Sequence, residues 1–372
     1  MIRITDKANC CGCTACASIC GHNAISMQPD SMGFLYPVVD LSRCIECGLC
    51  EKVCSFNDVY DYSNNLPKSD SYAVRHRNKS EVFSSRSGGA FIAVSDWILE
   101  HGGVVYGAGF GENFEIVHKR AVNKEERNQF KGSKYVQSNL KDTFRKVKQD
   151  LRNGGLVMFS GTPCQTAGLK SYIGKKLIQK LYLVDIVCHG VPGPYIWRDY
   201  LSYLEKKEHD ELYKVNFRDK RFGWSAHKET YHFLHKGYKT FQYSFYQPVM
   251  FRKSCGKCHF CNLKRPSDIT LADFWGSDLL GLNKDNKGLS LLLINSIKGL
   301  ELFENVKSKV FSLPVVLENS LQPNLVHPLK EHPMSNQFEQ DYINKGIGYI
   351  INKYCENTLY HRIISKLIRI LK

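Results

Sequence analysis

The sequence contains no apolar run long enough to cross a membrane. Its longest apolar stretches, residues 181–188 and 289–294, fall far short of the roughly 20 residues that a bilayer-spanning helix needs. Residues 1–7 also lack the apolar stretch of a secretory signal. We therefore expect a cytoplasmic protein without a transmembrane segment, in a compartment where cysteines are kept reduced.

Composition excludes two further classes of protein. Apolar residues make up 43% and aromatic residues 12% of the 372 residues, which is enough for a large core and unlike a disordered chain. The formal net charge is +15, but the basic residues are spread along the chain and no recognised nucleic-acid-binding motif is present. We therefore expect no nucleic acid among the partners.

Cysteine, in contrast, is abundant and unevenly distributed. The chain has 15 cysteines, and nine of them lie in the first 54 residues. The reducing compartment and the odd count both argue against a disulfide framework. The cysteines therefore indicate metal or redox chemistry.

Eight cysteines form an internal repeat of the pattern C-x2-C-x2-C-x3-C, in which each member recurs 34 residues later. The two quartets are Cys10, Cys13, Cys16 and Cys20, and Cys44, Cys47, Cys50 and Cys54. A cubane 4Fe-4S cluster needs a thiolate at each iron, and in two-cluster ferredoxins of this spacing the fourth cysteine serves the other cluster. We predict that Cys54 completes the first site and Cys20 the second, with structural zinc the less favoured alternative. Cys11 is an additional thiol beside the first ligand.

A third cysteine group lies far downstream, with no fourth cysteine close by. Its members are Cys255, Cys258 and Cys261. Either Cys164 or Cys188 can complete it, since each follows a predicted strand, where α/β proteins place their active sites. We favour a third 4Fe-4S cluster over a zinc site completed by His259, place Cys164 among the candidate ligands and keep Cys188 as the alternative.

Apolar periodicity predicts where the regular elements lie. Turn-forming residues 29–33 separate segments 24–28 and 34–39, which predicts a β-hairpin between the quartets. Farther on, strands are predicted at 72–75, 104–108, 156–159 and 181–188, and helices at 91–100 and 195–207. Alternating strands and helices predict a mixed α/β domain.

Six motifs follow one another between about residues 72 and 300. They are RSGG at 86–89, KGSKYVQS at 131–138, GTPCQ at 161–165, CHGVP at 188–192, the cysteine triplet at 255–261 and ADFWG at 272–276. Together they resemble the beta subunit family of coenzyme F420 hydrogenase/dehydrogenase, in the form with a fused N-terminal two-cluster ferredoxin domain. The resemblance implies bound FAD and iron–sulfur clusters that exchange electrons with a small-molecule acceptor. No G-x-G-x-x-G motif follows a strand, which disfavours direct use of a nicotinamide cofactor.

The resemblance and the motifs together suggest residues that contact the flavin. The candidates are Ser87, Gly88, Gly89, Lys131, Ser133, Lys134, Gly161 and Thr162. Residues 87–89 open a helix whose free N–H groups favour a pyrophosphate, and the alternative is a plain helix cap. The two lysines add positive charge, and their alternative is a solvated loop. His189 is either a proton donor beside the flavin or a histidine held by the backbone, and Trp224 and Trp275 are expected in the core.

We therefore expect four parts: an α+β ferredoxin-like two-cluster domain at 1–58, a linker at 59–70, a mixed α/β domain of flavin-binding type at 71–330, and a basic helical tail at 331–372. Segment 359–372 of the tail is amphipathic and basic. Docking of that segment on the body of the protein is favoured over contact with a membrane surface.

The expected function is that of an iron–sulfur flavoprotein oxidoreductase. Electrons would pass between a ferredoxin or another redox partner protein, the clusters, FAD and a small-molecule acceptor, either coenzyme F420 or another organic substrate. Three clusters would reduce the net charge to roughly +9, which still suits an acidic donor or an anionic cofactor. One alternative is a non-catalytic relay subunit that docks a catalytic partner. Another is a radical or zinc-dependent role in glycan or cell-surface metabolism. No catalytic residue is identified.

Overall fold

The computed structural model describes residues 1–56, 60–242, 246–277 and 281–355. Within these ranges the strands are β1 Ile25–Pro29, β2 Leu35–Val39, β3 Asp70–His76, β4 Val104–Phe110, β5 Ile116–Ala121, β6 Val157–Gly161, β7 Leu181–Ile186, β8 Leu212–Asn216, β9 Lys228–Phe233, β10 Gly237–Gln242, β11 Ile269–Asp273, β12 Ser290–Ile294 and β13 Val310–Pro314. The α-helices are α1 Ala15–Ile19, α2 Leu49–Lys52, α3 Lys79–Ser84, α4 Ala90–Glu100, α5 Lys124–Asn128, α6 Thr143–Arg152, α7 Pro163–Ile173, α8 Pro194–Glu208, α9 Ile297–Val306 and α10 Ser335–Ile350.

The N-terminal module, residues 1–56, contains the predicted hairpin between the two cysteine quartets. Strands β1 and β2 pair antiparallel, with Ile25 opposite Val39. The Asp30 carboxylate accepts hydrogen bonds from the N–H groups of Met32 and Phe34 at 3.0 and 2.9 Å, which closes the turn. Helix α1 of this module packs against α7 of the body.

An eight-stranded mixed sheet forms the body, in the order β13-β3-β12-β11-β7-β6-β4-β5. Its four central neighbours β11, β7, β6 and β4 run parallel. Strand β6 is fully buried at residues 157–159, as expected for a parallel strand covered on both faces. Because the strands are parallel, the residues that follow β6, β7 and β11 meet at one edge of the sheet. That edge carries the candidate site.

A smaller antiparallel sheet, β10-β9-β8, packs with helices α8 and α10 in a separate apolar core. Trp197, Tyr231 and Phe338 lie at its centre and are at most 2% exposed. The apolar side chains of Met32 and Phe34 from the N-terminal turn join the same core. The hairpin is thereby attached to the body by packing as well as by the chain.

The structure confirms the predicted strands and helices with small shifts of their ends. Strand β7 ends at Ile186 rather than at residue 188. Residues 60–69 of the expected linker are partly packed, since the Tyr60 ring lies 5.5 Å from the ring of Phe260, while residues 57–59 lie outside the described residues. The expected tail begins with α10, whose Phe338 and Ile350 are buried, and segment 359–372 lies outside the described residues. Among the helices described, none is both long and apolar enough to span a bilayer.

Candidate redox site

Four cysteines from both repeats line a small cavity in the N-terminal module. They are Cys10, Cys13, Cys16 and Cys54. Burial, together with the neighbouring sulfurs of Cys13 and Cys10, raises the pKa of the Cys54 thiol to about 11. The last cysteine of the second repeat therefore faces the first three of the first repeat, and crossed ligation requires this arrangement.

Backbone N–H groups point at these four sulfurs. The pairs are Gly12 N–H with Cys10, Ala15 N–H with Cys13, Ala17 N–H with Cys16 and Phe56 N–H with Cys54. Gly12 adopts a φ of +71°, which lets the backbone turn tightly around the sulfurs. Converging N–H donors stabilise thiolates and the sulfurs of a bound cluster, so the residues fit a 4Fe-4S group here.

The other three cysteines of the second quartet, and Cys20 of the first, do not line this small cavity. Cys50 is buried and accepts a hydrogen bond from the Ile2 N–H at 3.2 Å, and Cys20 accepts one from the Ala24 N–H at 3.3 Å. Cys20 and Cys50 belong to one apolar cluster, whereas Cys47 is exposed. The donor set fits a second cluster whose outer side faces solvent.

A much larger cavity, about 480 Å³ in volume, opens at the sheet edge in the body. Six cysteines line it: Cys11, Cys164, Cys188, Cys255, Cys258 and Cys261. Cys164 lies in the first turn of α7, Cys188 follows β7, and the triplet lies in the loop before β11. The fold thus brings both candidate fourth ligands to the triplet.

Cys164 and Cys188 differ in their surroundings. The Cys164 sulfur is an electrostatic neighbour of all three triplet cysteines. Hydrogen bonding from Cys11, and from the Thr162 hydroxyl at 3.2 Å, lowers the pKa of Cys164 to about 7. Burial instead raises the pKa of Cys188, whose sulfur lies 4.0 Å from the Gly190 carbonyl oxygen and also faces the Gly190 N–H. Side-chain hydrogen bonds therefore favour a thiolate at Cys164, whereas burial favours a protonated thiol at Cys188.

Cys11, the additional thiol of the first repeat, connects the two cavities. Its side chain is buried and within hydrogen-bond reach of the sulfurs of Cys13 and Cys164, and both contacts raise its pKa. Its carbonyl accepts a hydrogen bond from Gln137 Nε2 at 2.9 Å. In the sequence this thiol is only an addition beside the first ligand, whereas in the structure it contacts two sulfur groups.

Seven of the eight candidate flavin residues line the large cavity. They are Ser87, Gly89, Lys131, Ser133, Lys134, Gly161 and Thr162. Gly88 lies behind the wall: its N–H donates to Ser290 Oγ at 3.0 Å, and a Cβ there would be 2.2 Å from the Val74 carbonyl oxygen. Glycine at this position lets α4 begin close against β3 and β12.

The lysines of the 131–138 segment are part of the cavity wall rather than a solvated loop. Lys131 Nζ forms an ion pair with Glu81 at 2.6 Å. Lys134 Nζ donates to the carbonyls of Gln129 and Lys131, both at 2.9 Å, and burial lowers its pKa to about 7. Both ammonium groups are already oriented by protein acceptors beside the opening of α4.

The opposite wall contains residues that sequence reasoning placed differently. Trp275 was expected in the core but is 50% exposed, and its ring stacks on His189 with centroids 5.8 Å apart. His189 is held by the side chain of Gln322 rather than by a backbone group, and burial lowers its pKa. Arg86 of the RSGG motif forms an ion pair with Asp273 of the ADFWG motif at 2.7 Å. The motifs therefore meet around one cavity.

Sequence reasoning missed other wall residues altogether. His118 Nε2 donates to the Ser160 carbonyl at 3.0 Å, Nδ1 accepts from Ser138 Oγ at 2.9 Å, and burial lowers the pKa of His118 to about 4. Arg252, three residues before the triplet, is 1% exposed. No local pattern distinguishes these residues, because their partners are distant in sequence.

Paired cysteine quartets, joined to an α/β body whose cavity collects six more cysteines, define an iron–sulfur electron-transfer protein. Residues 155–313 match the family model for the C terminus of the coenzyme F420 hydrogenase/dehydrogenase beta subunit, and residues 9–57 match the 4Fe-4S dicluster domain. Both matches agree with the resemblance that the sequence motifs predicted, namely a region similar to the beta subunit of coenzyme F420 hydrogenase/dehydrogenase that follows a 4Fe-4S dicluster domain.

A search of solved structures also finds a match. It comes from a xenon derivative of the F420-reducing [NiFe] hydrogenase complex of Methanosarcina barkeri, with 17% sequence identity and a TM-score of 0.48. The alignment covers 79% of this chain and 92% of that chain. Among curated proteins, none matches this sequence.

Proposed function

We propose that this chain is an iron–sulfur flavoprotein oxidoreductase that holds a third 4Fe-4S cluster and FAD in its large cavity. One observation carries the proposal: the same cavity is lined by a cysteine group at one side and by the lysines and helix opening of the flavin-candidate motifs at the other. A redox partner protein supplies electrons at the N-terminal module, and a small-molecule acceptor, coenzyme F420 or another organic substrate, receives them from the cavity.

Four cysteines suit the third cluster, namely Cys164, Cys255, Cys258 and Cys261. Their sulfurs have donors of the kind that hold clusters elsewhere in the chain. The Val191 N–H points at Cys255, the Phe260 N–H at Cys258, and Asn324 Nδ2 at Cys261 at 3.9 Å. We assign Cys164 as the fourth ligand, because it neighbours all three triplet sulfurs and has side-chain donors, whereas burial raises the pKa of Cys188.

The other side of the cavity suits the phosphates and ring of FAD. Helix α4 begins at the cavity wall. An anion bound in the cavity would therefore face the first N–H groups of the helix and the positive end of the helix dipole. Lys131, Lys134 and Arg86 lie beside this opening, where Glu81 and Asp273 pair with Lys131 and Arg86, and Lys134 has a pKa of about 7. Gly161, Thr162 and Cys164 itself line the cavity, so a bound ring could approach this sulfur. A bound flavin would accept electrons singly and release them in pairs.

The three sulfur sites form a path from the surface to the cavity. Cys47 of the second quartet is exposed, which suits entry of electrons from a partner protein. The first quartet abuts the body, because Cys13 packs against Gly168 of α7, where a Cβ would be 2.6 Å from its sulfur. Cys11 then connects Cys13 with Cys164. We therefore propose the order second quartet, first quartet, third group, flavin.

Anaerobic purification tests the proposal, with iron, sulfide, zinc and flavin counted on one sample. We expect about twelve irons per chain, from three cubanes of four irons each, and one FAD released by acid. The visible absorption of the flavin should bleach on reduction. About eight irons with no flavin would contradict the proposal and support the relay role instead, and one zinc per chain would replace the third cluster.

A further inference from the structure

Arg252 is a buried cation at the junction of the N-terminal module and the body. Its guanidinium group donates three hydrogen bonds: Nε to the Cys10 carbonyl at 2.8 Å, Nη2 to the Leu35 carbonyl at 2.9 Å, and Nη1 to Gln137 Oε1 at 3.0 Å. Its Cζ atom also lies over the Tyr36 ring, 4.2 Å from the ring centroid, in a cation–π contact. Three separate chain segments are therefore held by one side chain.

The groups that face this cation are carbonyls, aromatic rings and sulfurs. Among the residues that the structure describes, no carboxylate lies within ion-pair distance of Arg252. Its Nη2 lies 3.8 Å from Cys10 Sγ, and its charge opposes the effect of burial on the pKa of Cys10. A buried charge is costly unless a negative group compensates it. Cys10 of the first quartet is the nearest group that can do so, and the charge also reaches Cys164 and Cys255 of the third group.

The backbone of the same residue is tied to the third cysteine group. The Arg252 N–H donates to the Val191 carbonyl at 3.0 Å, and the Arg252 carbonyl accepts from the Cys255 N–H at 2.9 Å. Gly12 allows the approach of the side chain, because a Cβ there would lie 3.0 Å from Nη1. Arg252 thus joins the loop of the first quartet directly to the loop of the triplet.

We propose that Arg252 is a positioning residue that supplies the counter-charge of the first iron–sulfur site, raises its reduction potential and holds it against the body. A 4Fe-4S cluster together with its four thiolates has a charge of about −2 when oxidised. Reduction adds one electron and needs no proton. A fixed cation in a medium of low dielectric constant stabilises the more negative reduced form more than the oxidised form. The inference rests on the proposed function only for the direction of electron flow.

Arg252→Met and Arg252→Lys in the full-length chain test this role, with potentials measured by anaerobic redox titration followed by electron paramagnetic resonance. We expect Arg252→Met to reduce the ratio of reduced to oxidised first cluster about tenfold at a fixed potential, a fall of about 59 mV for one electron. Arg252→Lys keeps the charge, so its reduction potential should stay close to that of the wild type, although the three hydrogen bonds of the guanidinium group are lost.

Arg145→Met is the matched control. Arg145 also reaches from the body to the N-terminal module, where it donates to the Ala17 carbonyl at 2.9 Å and to Asn23 Oδ1 at 3.0 Å, but it is exposed. Because solvent screens its charge, its removal should leave the potential unchanged.

An unchanged potential in Arg252→Met with full iron content would overturn the inference and leave the proposed function intact. If Arg252→Met does not fold, Arg252→Gln retains a donor and should show the same fall in potential. Equal loss of iron in the Met, Gln and Lys variants would mean a purely structural role and would also overturn the inference. Absence of flavin from the wild type would refute the proposed function without affecting these potentials.

Discussion

Cys164 and Cys188 are the same residue type in one cavity, yet their sulfurs have different surroundings. The Cys164 sulfur lies 3.2 Å from the Thr162 hydroxyl and within hydrogen-bond reach of Cys11. The Cys188 sulfur lies 4.0 Å from the Gly190 carbonyl oxygen and faces the Gly190 N–H, and its burial raises its pKa. Because side-chain donors favour a thiolate and burial favours a protonated thiol, we expect Cys164 to suit a metal better than Cys188.

This difference leads to a prediction for iron content. Cys164→Ser should lower the iron content by about four per chain, because one cubane loses a ligand, while Cys188→Ser should retain full iron. Iron and acid-labile sulfide are measured after anaerobic purification, with Cys355→Ser as the control outside the cavity. Loss of iron in Cys188→Ser with retention in Cys164→Ser would assign the ligand to Cys188.

A second prediction at the residue scale concerns anion binding in the cavity. Burial lowers the pKa of Lys134 to about 7, so Lys134 is protonated below that pH and neutral above it. Affinity for inorganic sulfate, whose charge is constant in this range, should fall as the pH rises above about 7. Titration calorimetry on either side of pH 7 measures this change. Lys134→Met should bind weakly at both pH values, and an unchanged pH dependence in that variant would exclude Lys134 as its source.

At the scale of elements, helix α7 connects the two parts of the chain. Its capping box joins Thr162 and Gln165, with Gln165 Oε1 accepting from the Thr162 N–H at 3.0 Å. This cap places Cys164 in the first turn, while Gly168 one turn later meets Cys13 of the N-terminal module. A single helix thus presents one cysteine to the large cavity and a close-packed surface to the first quartet.

Gly168→Ala should therefore disturb the first site. The new Cβ would be 2.6 Å from Cys13 Sγ, and such overpacking typically costs about 1–3 kcal/mol. We expect a lower melting temperature and a lower iron content. Gly21→Ala, beside Cys20 but with no atom within 4 Å of the new Cβ, should leave both unchanged. Equal behaviour of the two variants would contradict the close contact between α7 and Cys13.

At the scale of the whole molecule, the sheet topology gathers segments that are far apart in sequence. The residues after β6 include Cys164, those after β7 include Cys188, and those after β11 include Trp275, and all of them line one cavity. Parallel neighbours make this convergence a property of the fold. The N-terminal module then covers one side of the cavity through Cys11 and Phe56.

The sequence by itself determined the two quartets, the hairpin between them, most regular elements and the resemblance that the family models matched. These are local properties: a cluster loop depends on cysteines a few residues apart, and strands and helices depend on short apolar periods. The crossed position of Cys54 also followed from the repeat, and the structure brings it to the first three cysteines.

Only the tertiary structure decided the partners of Cys11 and Arg252, the place of Gly88 behind the cavity wall and the exposure of Trp275. Arg252 and Cys10 are 242 residues apart, and Cys11 and Gln137 are 126 apart. Contacts at such separations arise from packing of whole elements, and no spacing rule along the chain encodes them. The physical reason is that spacing along the chain determines which residues are close within one element. Packing of buried surfaces determines which distant segments come into contact.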